Sequence, residues 1–227
     1  HSIYDSYDHY TRFSDGDFKY GITLAKVNGR LVLRLSESDI LPFRFTNMAE
    51  NISTFIESNK KFAELVKKKT EQRNKLLDQN AYTIAGNPQK TYLPPNRLDD
   101  LPAFDFSPLD GAHKRLKVSA WKYEKALAGL QKRSLSAEQK SQINRLLKDV
   151  EQAMTHPDGL PRRPWFQNMI YAPGFYTGYG VKTLPGIREG LEERNWDEVH
   201  KYIEEVAKAL DRASVKINAA IQILEGS

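Results

Sequence analysis

Three side chains near the start of the sequence have types and a spacing suited to metal binding. His1, Asp5 and His9 follow one another at intervals of four residues, which would place them on one face of a helix. Imidazole nitrogens and carboxylate oxygens are common ligands of zinc. A solvated turn with polar residues produces the same spacing, so the pattern alone leaves both interpretations open.

A loop rich in large aromatic residues is a second candidate site. Between Pro157 and Pro185 the sequence contains several Pro and Gly residues together with six aromatics: Trp165, Phe166, Tyr171, Phe175, Tyr176 and Tyr179. Aromatic side chains can anchor such a loop in the core. Tyrosines flanked by glycines can also form the wall of a binding pocket, where their hydroxyl groups orient a ligand. Spacing does not choose between these two roles.

Two further patterns have weaker chemical implications. The stretch from Lys60 to Lys75 is the densest in basic residues, but Glu64 and Glu71 interrupt it and aromatic residues do not alternate with it. Nucleic-acid binding favours a basic stripe with stacking side chains, so we expect no nucleic-acid partner. Asn51 begins an Asn-Ile-Ser sequence, an N-glycosylation acceptor pattern that has meaning only in a secretory lumen.

Composition excludes several classes of chemistry. The 227 residues include no cysteine, so the chain has no disulfide framework, thiolate nucleophile or cysteine-based zinc site. A net charge of +5 mainly aids solubility. The sequence opens at His1 without a Met or a targeting signal, and no apolar run approaches the roughly 20 residues that span a bilayer. We therefore expect the chain to be a piece of a longer protein.

The elements that must position these residues are predicted to be helices. Apolar residues recur at helical spacing from Phe18 onward and again from about Asn47, where Thr46 could act as the cap. Further helices are predicted to begin at Ser107-Pro108 and at Ser136, which opens a capping box. A short helix is predicted to end near Asn195, and a long amphipathic helix is predicted to run from Trp196 to Leu224.

Leu41-Pro42-Phe43 interrupts the helical pattern and suggests a domain boundary, which divides the chain into 1–40 and 41–227. Residues 80–106 contain four prolines and form a long irregular segment that either wraps the surface or is partly disordered. Strand signals are scarce. The predicted fold class is mainly α, a helical bundle with long irregular loops.

Several sequence blocks, taken in order, resemble a known family. They are the opening His-Ser-Ile-Tyr-Asp-Ser, Leu41-Pro42-Phe43, Gly159-Leu160-Pro161 with Arg163-Pro164, Ile170-Tyr171-Ala172-Pro173 and Pro185-Gly186-Ile187. In this order they resemble the C-terminal part of glutamate carboxypeptidase II and its relatives, which include the transferrin receptor. The resemblance covers nearly the whole chain, and residues 80–106 match least well.

The resemblance implies that the parent protein is a zinc peptidase. Most of its active site would lie outside this sequence. Residues 1–40 would be the end of the peptidase domain, and His1 would match the last ligand of a co-catalytic site of two zinc ions. The other ligands and the general-base glutamate would lie upstream. Two zinc ions activate a bridging water for peptide hydrolysis, and one histidine cannot assemble that site. We therefore expect the chain alone to be inactive.

The resemblance also implies roles for the helical region. Residues 41–227 would be a dimerisation domain that joins two subunits, contacts the upstream peptidase domain and closes one side of the peptide-binding cleft. The segment 174–182 would contact the C-terminal side chain of the substrate. In the glutamate-specific enzyme it carries a lysine followed by a tyrosine. Here Tyr179 retains the tyrosine, but Gly178 replaces the lysine. Glutamate specificity is therefore not expected for the parent protein unless Lys182 supplies the missing positive charge.

The parent protein would thus be a membrane-anchored exopeptidase of carboxypeptidase or aminopeptidase type. It would span the membrane once, with this region in the lumen of a vacuolar or endosomal compartment or outside the cell. An alternative is a receptor or sorting protein of the same architecture without peptidase activity. A third interpretation, independent of the resemblance, is a basic helical binding module.

Overall fold

The structure is a computed structural model that describes residues 3–87, 89–91, 93–130 and 134–226. The chain divides into two compact units, 1–43 and 44–227. Each unit is described separately below. The mainly helical fold class predicted from the sequence is confirmed.

The N-terminal unit contains two helices, α1 (Tyr7–Phe13) and α2 (Lys19–Ser36). Their connection is organised by Asp15, whose side chain is buried. The Asp15 carboxylate accepts hydrogen bonds from the amides of Tyr20 (3.2 Å) and Gly21 (2.9 Å) and from the Tyr10 hydroxyl (3.0 Å). These amides belong to the first turn of α2, where backbone donors have no partner within the helix. Asp15 therefore supplies the cap that the start of α2 needs.

Helix α2 is apolar on more than one face and yet buries no residue. Its exposed apolar side chains lie both on one stripe and on the opposite side of the helix: Ile22, Leu24, Val27, Leu31, Val32, Leu33 and Leu35. A helix that is apolar around its circumference is normally covered by a larger core. The other described residues of the N-terminal unit do not supply that cover for α2.

The second unit is a bundle built around its last helix. It contains α3 (Phe45–Asp78), the single turn α4 (Ala81–Ile84), α5 (Ser107–Gly129), α6 (Ala137–Ala153), α7 (Pro185–Glu193) and α8 (Trp196–Glu225). Helix α8 packs against α5, α6 and α7, while α3 packs against α5 and α7. Thirteen residues of α8 are buried, so this helix forms the centre of the core.

A local signal explains the start of α6, whereas two other helices begin earlier than predicted. Ser136 and Gln139 form the predicted capping box at the start of α6. Helix α3 begins two residues earlier than predicted, with Arg44 at the N-cap, and Thr46 lies inside it. The Thr46 hydroxyl instead donates to the Glu124 carboxylate. Helix α5 likewise begins at Ser107, one residue before the predicted start.

The second half of the 80–106 segment is attached to α3 and to the α7–α8 connection. Asn74 donates to the Leu98 carbonyl (2.8 Å) and accepts from the Leu98 amide (3.1 Å). Arg73 donates to the Asn96 carbonyl (2.6 Å) and Arg194 to the Asp99 carbonyl. These side chains satisfy backbone groups that have no helix or sheet partner. This part of the segment therefore wraps the surface, one of the two predicted alternatives.

The aromatic region predicted as a loop contains a short hairpin. Strands β1 (Tyr171–Pro173) and β2 (Val181–Thr183) pair antiparallel, with Ala172 opposite Lys182. Each strand has three residues, which is too short for an alternating pattern to be recognised in the sequence. Pro173 is compatible with the strand because both strands of a two-stranded ribbon are edges.

Candidate functional site

The hairpin ends in a glycine-rich turn, residues 174–180, which we call the hairpin loop. The loop closes through hydrogen bonds from the Gly174 amide to the Gly180 carbonyl (2.9 Å) and from the Thr177 hydroxyl to the same carbonyl (3.2 Å). Gly178 has a φ of +61°, a left-handed conformation that strains any residue with a Cβ. Glycine adopts this conformation without strain, whereas a lysine here would be strained.

Tyr179 is the most exposed large aromatic residue among those described, at 93%. Its amide donates to the Thr177 carbonyl (2.6 Å), so its backbone is part of the turn while its ring extends into solvent. A tyrosine hydroxyl both donates and accepts hydrogen bonds. This arrangement leaves the Tyr179 ring and hydroxyl accessible to a ligand.

Lys182 is engaged by α7. Its ammonium group lies 2.7 and 2.9 Å from the two carboxylate oxygens of Glu192, which also accepts from Arg188 at 2.9 Å. Burial acts to raise the pKa of Glu192, but the hydrogen bonds from Arg188 and Lys182 outweigh it and hold that pKa below its ordinary value. Lys182, in strand β2, is thus paired with Glu192 of α7.

A buried ion pair lies beneath the hairpin loop. Arg163 and Glu189 are 3% and 5% exposed as side chains and bind each other through two hydrogen bonds of 2.8 and 3.0 Å. Arg163 also donates to the Pro173 carbonyl (3.2 Å), and Glu189 accepts from the Phe175 amide (2.9 Å). The pair therefore connects α7 to both the end of β1 and the start of the loop.

Sequence reasoning missed this pair. Arg163 was noted only as part of a family-like block, and Glu189 was not singled out. The two residues are 26 positions apart, so no helical or strand spacing relates them. The sequence also gives no sign of their burial, because Arg163 follows Arg162 and Glu189 follows Arg188 in locally charged stretches.

Part of the surface formed by α5 and α8 is apolar. Val118, Trp121 and Val215 are 48%, 57% and 65% exposed, and we call this surface the α5–α8 face. Val118 and Val215 line one groove of about 640 Å³ between the two helices. At one end of the groove Arg115 binds Asp211 through two hydrogen bonds of 2.8 Å. The rest of the groove is lined mostly by polar and charged residues, among them Lys114, Lys122 and Asn218, and protein interfaces commonly mix apolar and polar groups in this way.

The remaining predicted site residues belong to other segments of the chain. His1 lies outside the described residues. His9 packs its ring against Tyr4 and Phe13, and the described part of the chain contains no group of three His, Asp or Glu residues arranged to hold a metal. Asn51 is exposed within α3, and its glycosylation stays a prediction. Within the described ranges no helix is long and apolar enough to cross a bilayer.

Comparison with protein families decides the relationship. Residues 104–218, which include α5, α6, the hairpin, α7 and most of α8, match the transferrin receptor-like dimerisation domain. The chain belongs to this family. The family resemblance inferred from the sequence is confirmed.

Curated relatives match over nearly the whole chain. A probable glutamate carboxypeptidase of Arabidopsis thaliana is 26% identical over 97% of the chain, and one of Arthroderma benhamiae is 27% identical over 92%. Aminopeptidase NAALADL1 of Rattus norvegicus is 22% identical over 96%. The chain spans only 24–28% of the length of these relatives.

Proposed function

We propose that this chain is the dimerisation and substrate-pocket-completing region of a larger zinc exopeptidase of carboxypeptidase or aminopeptidase type. The observation that carries the proposal is the match of residues 104–218 to a dimerisation-domain family, combined with relatives described as carboxypeptidases and an aminopeptidase. By itself the chain is expected to be inactive. It would act by pairing two subunits and by contributing the hairpin loop to the wall of a peptide-binding cleft.

The α5–α8 face supports the dimerisation role. Its apolar residues lie within the range that matches the family. Aromatic residues contribute much of the binding energy of interfaces, so Trp121, which is exposed but does not line the groove, is the expected anchor. We propose that a second copy of this chain covers the face in a homodimer.

Helix α2 supports the assignment of residues 1–40 to the end of a peptidase domain. Its apolar residues are exposed, including Leu31 at 54%, and covering a leucine stabilises a protein by roughly 1.5–3 kcal/mol. We propose that α2 packs into a peptidase domain formed with upstream sequence. His1 would be one ligand of a site for two zinc ions, whose other ligands lie in that upstream part.

The hairpin loop supports a role in substrate recognition. Tyr179 is exposed at its tip, Gly178 carries no side chain and Lys182 is paired with Glu192. The loop therefore offers a hydroxyl group without an unpaired cation. We propose that it contacts the C-terminal residue of a peptide without the charge-assisted hydrogen bond that favours glutamate.

Location and glycosylation are part of the same proposal. A membrane-anchored parent would place this region in a lumen or outside the cell, where Asn51 is a candidate for glycosylation. A receptor or sorting protein is the alternative, because the family takes its name from a receptor. Zinc content and peptidase activity of the full-length protein distinguish the two.

The full-length protein and the 227-residue chain should be assayed side by side for bound zinc and for hydrolysis of a peptide library. Two zinc ions and activity are expected only in the full-length protein. His1→Ala should abolish activity and reduce bound zinc. His9→Ala is the control, because the peptidase assignment uses His1 with upstream ligands, whereas a local metal site would need His9 as well. Full activity in the His1→Ala variant would exclude the ligand assignment.

A further inference from the structure

Phe175, the residue after Gly174 in the hairpin loop, is held through both its backbone and its side chain. The Phe175 amide donates to Glu189 at 2.9 Å. The Phe175 ring lies 5.4 Å from the guanidinium carbon of Arg162 and 5.7 Å from that of Arg163, within the range of cation–π attraction. Backbone and side chain of one residue are thus both fixed to the layer beneath the loop.

That layer is connected to two helices. Arg163 binds Glu189 of α7, and the adjacent Arg162 binds Glu198 of α8 (2.8 Å) and Glu193 of α7 (3.2 Å). Arg162 has a φ of +63°, an unfavourable conformation for a residue with a Cβ. The two consecutive arginines therefore both bind α7, Arg162 also binds α8, and both lie within reach of the Phe175 ring.

Stability alone does not explain the Arg163–Glu189 pair. Removing two charges from water is costly, and well-packed apolar residues often replace a buried ion pair without loss of stability. Here one donor of the pair, Arg163 Nε, is buried and makes no hydrogen bond within the described residues. What the pair provides is a set of directed bonds to the Pro173 carbonyl and the Phe175 amide, and these fix where the loop begins.

The rest of the loop has little support of this kind. Tyr176 and Tyr179 are 79% and 93% exposed. Tyr176 packs its ring against Phe175. The hydrogen bonds described for the loop beyond Phe175 stay within the turn and join Gly174, Thr177, Gly178, Tyr179 and Gly180. The position of Tyr179 therefore depends on where Phe175 is anchored, four residues earlier.

We propose that Arg163, Glu189 and Phe175 are positioning residues, which set the hairpin loop so that Tyr179 meets the C-terminal side chain of the peptide substrate. This inference rests on the proposed function of the loop. None of the three residues needs to touch the reacting atoms. Loosening them should weaken substrate binding while leaving zinc content and the chemical step in place.

The test uses Glu189→Gln and Phe175→Leu in the full-length protein, with Phe175→Tyr as the conservative variant that keeps the ring. Asp149→Asn is the matched control, because it removes an ion pair between α6 and α8 (3.3 Å to Lys216) away from the loop. Hydrogen exchange of peptides covering 174–180 reports on loop anchoring. Steady-state kinetics on peptides with different C-terminal residues report on its consequence.

In Glu189→Gln and Phe175→Leu, exchange in the loop should accelerate by about tenfold or more, because local opening becomes easier. KM should rise by about tenfold with kcat within about twofold, the pattern expected when substrate binding rather than the chemical step is affected. Phe175→Tyr and Asp149→Asn should leave both quantities unchanged.

Each outcome decides one part of the inference. Unchanged loop exchange in Phe175→Leu would overturn the anchoring role, and this variant remains informative if Glu189→Gln fails to fold. Faster exchange with unchanged KM would overturn the substrate role of the loop. A full-length protein without peptidase activity would instead contradict the proposed function, and the exchange measurement would still decide whether these residues hold the loop.

Discussion

Helices α2 and α8 are both long and rich in apolar residues, yet they differ completely in burial. Helix α8 buries thirteen residues within the bundle, whereas α2 buries none. An amphipathic pattern predicts a helix, but the helix is stabilised mainly when its apolar side packs against a neighbouring surface. The bundle supplies its own neighbours for α8. The contrast indicates that α2 requires a partner that its own unit does not provide, as the peptidase-domain assignment proposes.

The largest expected effect comes from truncating a leucine on each helix. Leu210→Ala on α8 removes a side chain with no exposure and should cost about 2–5 kcal/mol of unfolding free energy. Leu31→Ala on α2 should cost less than about 0.5 kcal/mol in the 227-residue chain. Urea unfolding followed by circular dichroism measures both. In the full-length protein Leu31→Ala should become clearly destabilising, and an unchanged stability there would contradict the proposed packing of α2.

The α5–α8 face, like α2, exposes large apolar side chains. Trp121→Glu should weaken homodimerisation by about thirtyfold or more, since a central interface aromatic typically contributes 2 kcal/mol or more. Sedimentation velocity over a concentration series measures the dissociation constant. Leu31→Glu on α2 is the matched control and should leave the dimer intact. Loss of the dimer in the control alone would locate the contact on α2.

A smaller effect is expected from a substitution of Tyr179. We propose that its exposed ring contacts substrate, whereas the exposed side of α2 is proposed to pack against a protein domain. Tyr179→Phe removes one hydroxyl group and should raise KM by about three- to tenfold, as expected for a neutral hydrogen bond worth 0.5–1.5 kcal/mol. Steady-state kinetics of the full-length protein provide the measurement. Tyr176→Phe serves as the control on the same loop. An equal rise in both variants would mean that Tyr179 has no specific contact.

The smallest expected effect is a pH dependence at the start of α2, which Asp15 caps and which buries no residue. Burial acts to raise the pKa of Asp15, but hydrogen bonds from the amides of Gly21 and Tyr20 and from the Tyr10 hydroxyl outweigh it and lower that pKa. A carboxyl group whose pKa is lower in the folded than in the unfolded state stabilises the folded state at any pH above its unfolded pKa. This contribution is lost as the pH falls from the unfolded pKa through the folded pKa.

The start of α2 should therefore loosen below about pH 4, near the unfolded pKa of an aspartate. The Gly21 amide signal in NMR spectra reports on this step. Asp15→Asn should remove the pH dependence, and Asp17→Asn, an exposed neighbour paired with Lys19, should retain it. A dependence that persists in Asp15→Asn would assign the effect to another group.

Sequence patterns predicted the features that depend on neighbours in the chain. The Ser136 capping box and the amphipathic α8 are local signals, and the structure contains both. The start of α3 was displaced because Thr46 bonds to Glu124, a residue 78 positions away. Propensity for capping does not reveal such a competing partner.

The candidate site was less accessible to sequence reasoning. The hairpin strands have three residues each, which is below the length at which alternation is detectable. The Arg163–Glu189 pair forms only when α7 folds against the turn that carries Arg163. Gly178 and Tyr179 were identified through family resemblance, and the structure adds the reason for the glycine, its positive φ.

Sedimentation velocity of the unmodified 227-residue chain tests whether this region joins two subunits. At micromolar concentration the proposed homodimer should sediment with twice the 26.0 kDa mass of the chain and dissociate reversibly on dilution. A single species of 26.0 kDa across the same concentrations would contradict the dimerisation role.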